Sequence, residues 1–518
     1  MHTLLAYITA SSRNHRPGDF ETLLPIGLCS LYALLRSRGM PATLANLCGM
    51  NDRAIIDLLL QQRPSVVGLS HWTHNRHATL QLAGLVRQTL PGTIILLGGG
   101  HATHQAELIL KHHPEVDLVA VGEAEQTLLE LLEALDNGSP LTAVPGLVMR
   151  DNGTIRRTGQ RPPWPDLDHL PFPSLWLHEA INVDQPLQAE FISSSRGCPA
   201  ACSFCASPAF WGRRVRYRSA HSVAEEMLHL RDHYGLLYLS LRDDTFTADR
   251  RRTVKLCREL IERRVNIFWN CQSRVEAIDR ETLAWMRRAG CECVQLGVES
   301  GSSAMLKLLG KRIMPEQVVE AADLIRQSGM QLSVYLITGI PEESDADRQQ
   351  TINLVKRIQP DDLQVAPLAY YPGTALFETA VAAAKVAETL FESSRDEAVL
   401  ATPNGRQQVK RLLARTAQYR NNCSMQQLLA IQRDAGYSAV TAMQAGDRYA
   451  ADDDPHQAEQ QYCQITKNEP DHPWGWLLLA ELYEQYGQLK NAAHCYRQLL
   501  KLVPRHRPAA DALLRLGH

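Results

Sequence analysis

From residue 4 onward, short apolar runs alternate with stretches whose apolar residues recur at helical spacing. Residues 4–8, 42–47, 65–70, 93–97 and 117–121 are of strand length, and amphipathic segments separate them. That alternation predicts a doubly wound parallel sheet, which takes ligands beyond the carboxyl ends of its strands. At those ends lie Ser70-His71-Trp72-Thr73, Gly98-Gly99-Gly100-His101-Ala102-Thr103 and Gly122-Glu123-Ala124-Glu125. A glycine run lets backbone approach a large flat ligand, and Ser70 and Thr73 can donate hydrogen bonds at its rim. A nicotinamide site is disfavoured, because Ala10-Ser11-Ser12-Arg13-Asn14-His15 after the first strand contains no G-x-G-x-x-G.

Residues 146–157 predict a hairpin turning at Asp151-Asn152-Gly153, and the proline-rich stretch 162–173 predicts an extended connector. Alternation then resumes, with strands at 189–194, 236–241, 267–271, 293–298, 331–337 and 362–367. Helical patterns follow at 222–233, 250–263, 279–289, 315–328 and 345–358. Six such units predict a partial (β/α)6 barrel, whose chemistry sits at the carboxyl ends of its strands. Residues 376–445 are helical in pattern. In the tail Ala458/Ala492, Tyr462/Tyr496 and Pro470/Pro504 are 34 residues apart, which predicts about one and a half tetratricopeptide-like units packed on the barrel or offered to a partner. The expected divisions are 1–145, 146–188, 189–375, 376–445 and 446–518.

The first barrel strand runs into Cys198, Cys202 and Cys205. Three thiolates at C-x3-C-x2-C can hold three irons of a four-iron cluster and leave the fourth open to a small molecule. A zinc site lacking a ligand and plain reduced thiols are the alternatives at this point. The remaining strand ends carry Asp243-Asp244, Arg274, Glu299-Ser300, Gly339 and Tyr370.

Arg196-Gly197-Cys198-Pro199 and Cys202-Ser203-Phe204-Cys205 resemble the radical S-adenosylmethionine (SAM) enzymes. Pro25-Ile26-Gly27-Leu28, the glycine run and Val121-Gly122-Glu123 resemble the cobalamin-binding domain fused to one subfamily of them, over residues 1 to about 145. The resemblance implies that Cys198, Cys202 and Cys205 bind the cluster with Phe204 shielding it. It assigns Ser70, His71, Trp72, Thr73, Gly98, Gly99, Gly100, His101, Gly122 and Glu123 to cobalamin, and Asp243, Arg274, Glu299, Ser300 and Gly339 to SAM, with Tyr370 at the catalytic rim. The D-x-H-x-x-G of domains that supply a histidine to cobalt is absent, so His71 or Trp72 is expected to face the lower side of the metal.

The function implied is methyl transfer from methylcobalamin to an unactivated carbon after hydrogen abstraction by a 5'-deoxyadenosyl radical. Radical cyclisation, ring rearrangement or oxidation, cobalamin-dependent methylation without a radical, and a non-catalytic scaffold are the rivals. The substrate is expected to be a small molecule or peptide, and the electron donor a flavodoxin or ferredoxin. The balance of 54 basic and 56 acidic residues gives no basic footprint for nucleic acid. No apolar run approaches the roughly 20 residues of a membrane span, and 4–8 is too short for a signal segment. With twelve cysteines, that predicts a cytoplasmic chain with reduced thiols.

Overall fold

A computed structural model of the chain describes residues 1–9, 22–393, 395–419 and 425–517. They fall into two compact units. The first comprises Met1–Ala189, Arg196–Tyr217 and Ala369–Leu400; the second comprises Glu190–Ser195, Arg218–Leu368 and Ala401–His518.

The first unit is built on a seven-stranded sheet of β1 (Thr3–Tyr7), β2 (Ala42–Asn46), β3 (Val66–Ser70), β4 (Ile94–Gly98), β5 (Leu118–Ala120), β6 (Leu147–Asp151) and β7 (Thr154–Arg157). Their spatial order is β2-β1-β3-β4-β5-β6-β7. β1 and β3 are buried along their whole length, which explains continuous apolar runs where a half-exposed strand would alternate. The first five strands are parallel and the order reverses between β1 and β3, so the crevice for a ligand opens at their carboxyl ends. The stretch 10–15 beyond β1 lies outside the described residues. The hairpin expected in a connector instead extends the sheet, β6 pairing antiparallel with β5 through Leu118 and Met149.

Ala369–Leu400, which follows the last barrel strand in sequence, also folds into this unit. The buried Arg76 donates to the carbonyls of Phe391 (3.1 Å), Ser393 (3.1 Å) and Arg395 (3.3 Å), and the Leu376 N–H donates to the Ser203 carbonyl at 2.8 Å.

The second unit holds six parallel strands side by side in chain order: β8 (Phe191–Ile192), β9 (Tyr238–Leu241), β10 (Phe268–Ser273), β11 (Cys291–Glu299), β12 (Gln331–Thr338) and β13 (Asp362–Pro367). Side-chain caps start the intervening helices, with Ser219, Asp249 and Asp279 accepting from backbone N–H groups three residues on. β8 has two residues where six were expected. The N–H groups of Ser194 and Ser195 go to the Asp243 carboxylate at 2.6 and 3.0 Å, which ends the ladder early.

The tail is longer as a repeat than its sequence pattern implied. Helices Ala439–Ala451, Pro473–Gln485 and Arg507–Arg515 begin at 34-residue intervals, and Pro455–Asn468 and Leu489–Leu502 alternate with them, making two and a half units. The first of these helices buries Ala439, Val440, Ala442, Met443, Ala445 and Gly446, without the tryptophans and leucines that mark Pro473–Gln485. Leu237 and Phe268, at the amino ends of β9 and β10, share one apolar core with these helices. Trp474 Nε1 donates to the Leu237 carbonyl at 2.6 Å, and the Trp474 ring centroid is 4.9 Å from that of Phe268.

A polar chain crosses the barrel sheet near the same end. Ser240 Oγ donates to Asn270 (2.7 Å), Asn270 Nδ2 to the Tyr238 hydroxyl (2.7 Å), and that hydroxyl to Glu292 (2.5 Å). Burial, reinforced by the charges of Asp361 and Asp447, pushes the Glu292 carboxyl from 4.5 up to about 7. Its folded pKa lies above its unfolded one, so the unfolded chain sheds this proton first and stability falls as pH rises from about 4.5 to about 7. Glu292→Gln is expected to remove that slope, gaining on the wild type across the window by at most about 3 kcal/mol. Urea midpoints measured at several pH values check it, and parallel curves for the two proteins would oppose it.

Candidate active site

The cysteine segment is shaped by close backbone approaches. Gly197 has φ 103°, and a Cβ there would stand 2.7 Å from the Arg214 carbonyl, so only glycine lets the two ends of the segment touch. The Cys198 N–H donates to the Gly212 carbonyl at 3.4 Å, and the Cys205 N–H to the Cys202 carbonyl at 3.3 Å, which folds the last two cysteines into a turn. Cys198 is buried, while Cys202, Phe204 and Cys205 are half-buried. Among the described residues no three His, Cys, Asp or Glu side chains gather as ligands of one ion. Three thiols strung along one loop suit the separated corners of an iron–sulfur cube.

Charged side chains brace this segment. Arg196 Nη1 lies 2.9 Å from Glu123 and its Nη2 2.6 Å from Glu125, and Arg216 pairs with the other face of Glu123. Burial works against the Arg196 charge, and the carboxylates of Glu125 and Glu123 more than offset it, so its pKa is raised. The Arg196 guanidinium also lies 5.1 Å from the Trp211 ring centroid. Glu123, expected as a cobalamin contact, thus has both oxygens taken by arginines. Arg216 carried no periodic or motif signal in the sequence, since its partner is 93 residues away.

At the crevice end of the sheet the predicted residues separate into two groups. His71 is wholly buried, edge-on to His101 with centroids 5.0 Å apart, and neither ring nitrogen has a hydrogen-bond partner among the described residues. Burial pushes its imidazole down to about 3, so it is neutral. It therefore has no face at the rim, contrary to one of the two alternatives for the lower side of cobalt. Trp72 is the half-buried member of that pair; its ring covers Gly100 and its Nε1 donates to Ser70 Oγ at 3.0 Å.

Thr73 Oγ1 and His101 Nδ1 bond at 3.0 Å, both buried, so Ser70 and Thr73 serve neighbouring rings first. Gly99, at φ 108°, would put a Cβ 2.8 Å from the His71 carbonyl, so Gly99 and Gly100 are needed for packing between the two loops. Gly98 and Gly122 meet nothing within 4 Å and keep open space, and the Gly122 N–H is anchored on Thr103 Oγ1 at 3.0 Å. An open glycine edge beside an indole fits a large flat group.

In the second unit, Glu299 ends β11 with φ 69°, a left-handed conformation that non-glycine residues hold at some cost and that clusters at functional sites. Lys311 Nζ reaches its carboxylate at 3.0 Å and donates to the Gly297 carbonyl at 2.5 Å, with only 4% of the lysine side chain exposed. Gly297 makes this possible, because a Cβ there would stand 2.7 Å from Glu299 Oε1. Lys311 was missed by sequence reasoning, lying in a loop with no spacing to mark it. Ser300 is buried against Thr351, and Gly339, at φ 72°, donates its N–H to Glu343 at 2.9 Å.

Three expectations change. Asp243 is 1% exposed and its oxygens serve Ser194 and Ser195, so it braces the strand end rather than presenting a free carboxylate. Arg274 is engaged with Glu276 at 2.6 Å. In the first unit, Tyr370 is 4% exposed with its ring 6.2 Å from Phe377, an interior position where burial pushes its phenol up, in place of the expected catalytic rim.

Residues 192–355 match the radical SAM superfamily and residues 21–132 the B12 binding domain. The chain is similar to an uncharacterised methyltransferase of Pyrococcus horikoshii, 29% identical over 363 residues that cover 69% of this chain and 78% of that protein. It is also similar to the anaerobic magnesium-protoporphyrin IX monomethyl ester cyclase of Rubrivivax gelatinosus, 28% identical over 64% of this chain and 60% of the cyclase. In fold it resembles the radical SAM methyltransferase TsrM of Kitasatospora setae, solved with cobalamin and a 4Fe-4S cluster, at TM-score 0.62 and 17% identity over 74% of this chain and 76% of that one. Two matched domains, the thiol loop and the open glycine edge together make the chain a member of the radical SAM superfamily with a B12-binding domain, whose cofactors are a 4Fe-4S cluster, SAM and cobalamin.

Proposed function

We propose that the chain is a cobalamin-dependent radical SAM methyltransferase that methylates an unactivated carbon of a small-molecule or peptide substrate. The observation that carries this reading is the grouping of Arg196–Tyr217, with all three cysteines, into the same compact unit as the B12-type sheet. A methyl donor and a radical source serve one carbon only if the chain holds both sites together. When bound, the cluster and SAM supply a hydrogen-abstracting 5'-deoxyadenosyl radical, and the cobalamin supplies the methyl group.

The protein's share is binding and orientation. Cys198, Cys202 and Cys205 provide three thiolates, and Phe204 between the last two limits water at them. Gly98, Gly122 and the face of Trp72 would line the cobalamin edge. Glu299, oriented by Lys311, would accept hydrogen bonds from the SAM ribose, and the turn at Gly339 would flank adenine. A flavodoxin or ferredoxin in the cytoplasm delivers the electron. Among the described residues no helix is long and apolar enough to cross a membrane. The tail helices, joined to the barrel through one apolar core, leave their outer face for a carrier or peptide.

The cyclase relative favours a second reading, in which the radical closes a ring. Anaerobic incubation with reductant, cell extract and SAM bearing a deuterated methyl separates the two. Methylation predicts products in which a labelled methyl replaces one hydrogen; consumption of SAM with no label in any product would favour cyclisation.

A further inference from the structure

Both ends of the cysteine segment converge on one carboxylate. Arg196 stands two residues before Cys198 and Arg216 lies beyond Cys205, and both guanidiniums close on Glu123. Glu125 takes the second arm of Arg196. The exposed fractions of the four side chains are 8% for Glu123, 5% for Glu125, 14% for Arg196 and 13% for Arg216, so the network is shielded from water. Arg216 also donates to the Trp164 carbonyl at 2.8 Å, which ties in the proline-rich stretch.

Glu123 belongs to the loop after β5. Its neighbour Gly122 is pinned to Thr103, in the helix that begins at the glycine run. A carboxylate shared by two arginines, all three largely shielded from water, is held by its environment more firmly than one at a surface, and it loses much when either side is removed alone.

We propose that Glu123 is a positioning residue for the iron–sulfur loop, clamping its two ends through Arg196 and Arg216 and so tying retention of the cluster to the β5 loop of the cobalamin domain. This rests on the reading of Cys198, Cys202 and Cys205 as the cluster ligands. It assigns Glu123 to the loop, not to direct contact with cobalamin. Glu125 supplies the charge that keeps Arg196 paired when Glu123 is lost, which leaves Arg216 as the orphan in a Glu123 variant.

The test uses the full chain, reconstituted anaerobically with iron, sulfide and cobalamin, then desalted and challenged with an iron chelator. For Glu123→Gln the proposal expects iron to be lost at least about tenfold faster than from the wild type, with bound cobalamin unchanged in its absorption spectrum. Adding Arg216→Gln to Glu123→Gln should speed iron loss no further than Glu123→Gln alone, because both changes release the same end of the loop; a merely fold-wide defect would be deepened by the second change. Normal iron retention with loss of cobalamin would overturn the proposal and return Glu123 to the cofactor. Unchanged binding of both would also overturn it. Should Glu123→Gln fail to fold, Arg216→Gln alone carries the test, since releasing one end of the loop should still speed iron loss. A wild-type chain that takes up no iron would sink the ligand assignment itself, and the proposal with it.

Discussion

Replacing Cys202 with alanine is expected to abolish SAM cleavage, lowering turnover by at least about a thousandfold, because ligands that act as one unit fail together. Two thiolates cannot hold a cube whose fourth corner must stay open. Cys202 is half-buried in a loop, outside both apolar cores. The variant should therefore keep the wild-type circular dichroism and cobalamin binding while losing iron and 5'-deoxyadenosine production. Equal turnover in wild type and variant would exclude the cysteine loop from the chemistry.

Lys311→Met should have the second largest effect. It leaves the Glu299 carboxylate with about a tenth of its surface exposed and no cation, at a residue already in a left-handed conformation, and it removes a donor from the Gly297 carbonyl. Breaking a buried pair from one side costs roughly 3–5 kcal/mol. Removing both charges in Lys311→Met/Glu299→Gln should cost less than the sum of the single changes. Urea unfolding measures the stability term. Equilibrium dialysis of SAM against the reconstituted chain measures the functional one, where a loss of at least about tenfold in affinity is expected for both single variants. A Lys311→Met protein within about 0.5 kcal/mol of the wild type, with normal SAM binding, would show that the pair positions nothing.

Much of the fold was legible because buried parallel strands announce themselves as uninterrupted apolar runs, as β1 and β3 do. The cysteine spacing was legible because Cys198, Cys202 and Cys205 lie within eight residues of one another. The helical repeat was read only where Trp476 and its leucines marked it; the alanine-rich helix 439–451 hid its first unit. What sequence could not supply were pairings across long separations. Nothing near Asp243 shows that Ser194 and Ser195 will claim it, and nothing near Glu123 points to Arg216. His71 and Trp72 are adjacent, yet the first is wholly buried and the second half-buried, which is a property of packing that a strand-end motif does not encode.

The most direct measurement is the electron paramagnetic resonance spectrum of the reduced, reconstituted chain before and after SAM is added. An iron left open by three thiolates predicts a four-iron signal whose shape changes when SAM binds. A signal that SAM leaves untouched, or no iron–sulfur signal at all, would contradict it.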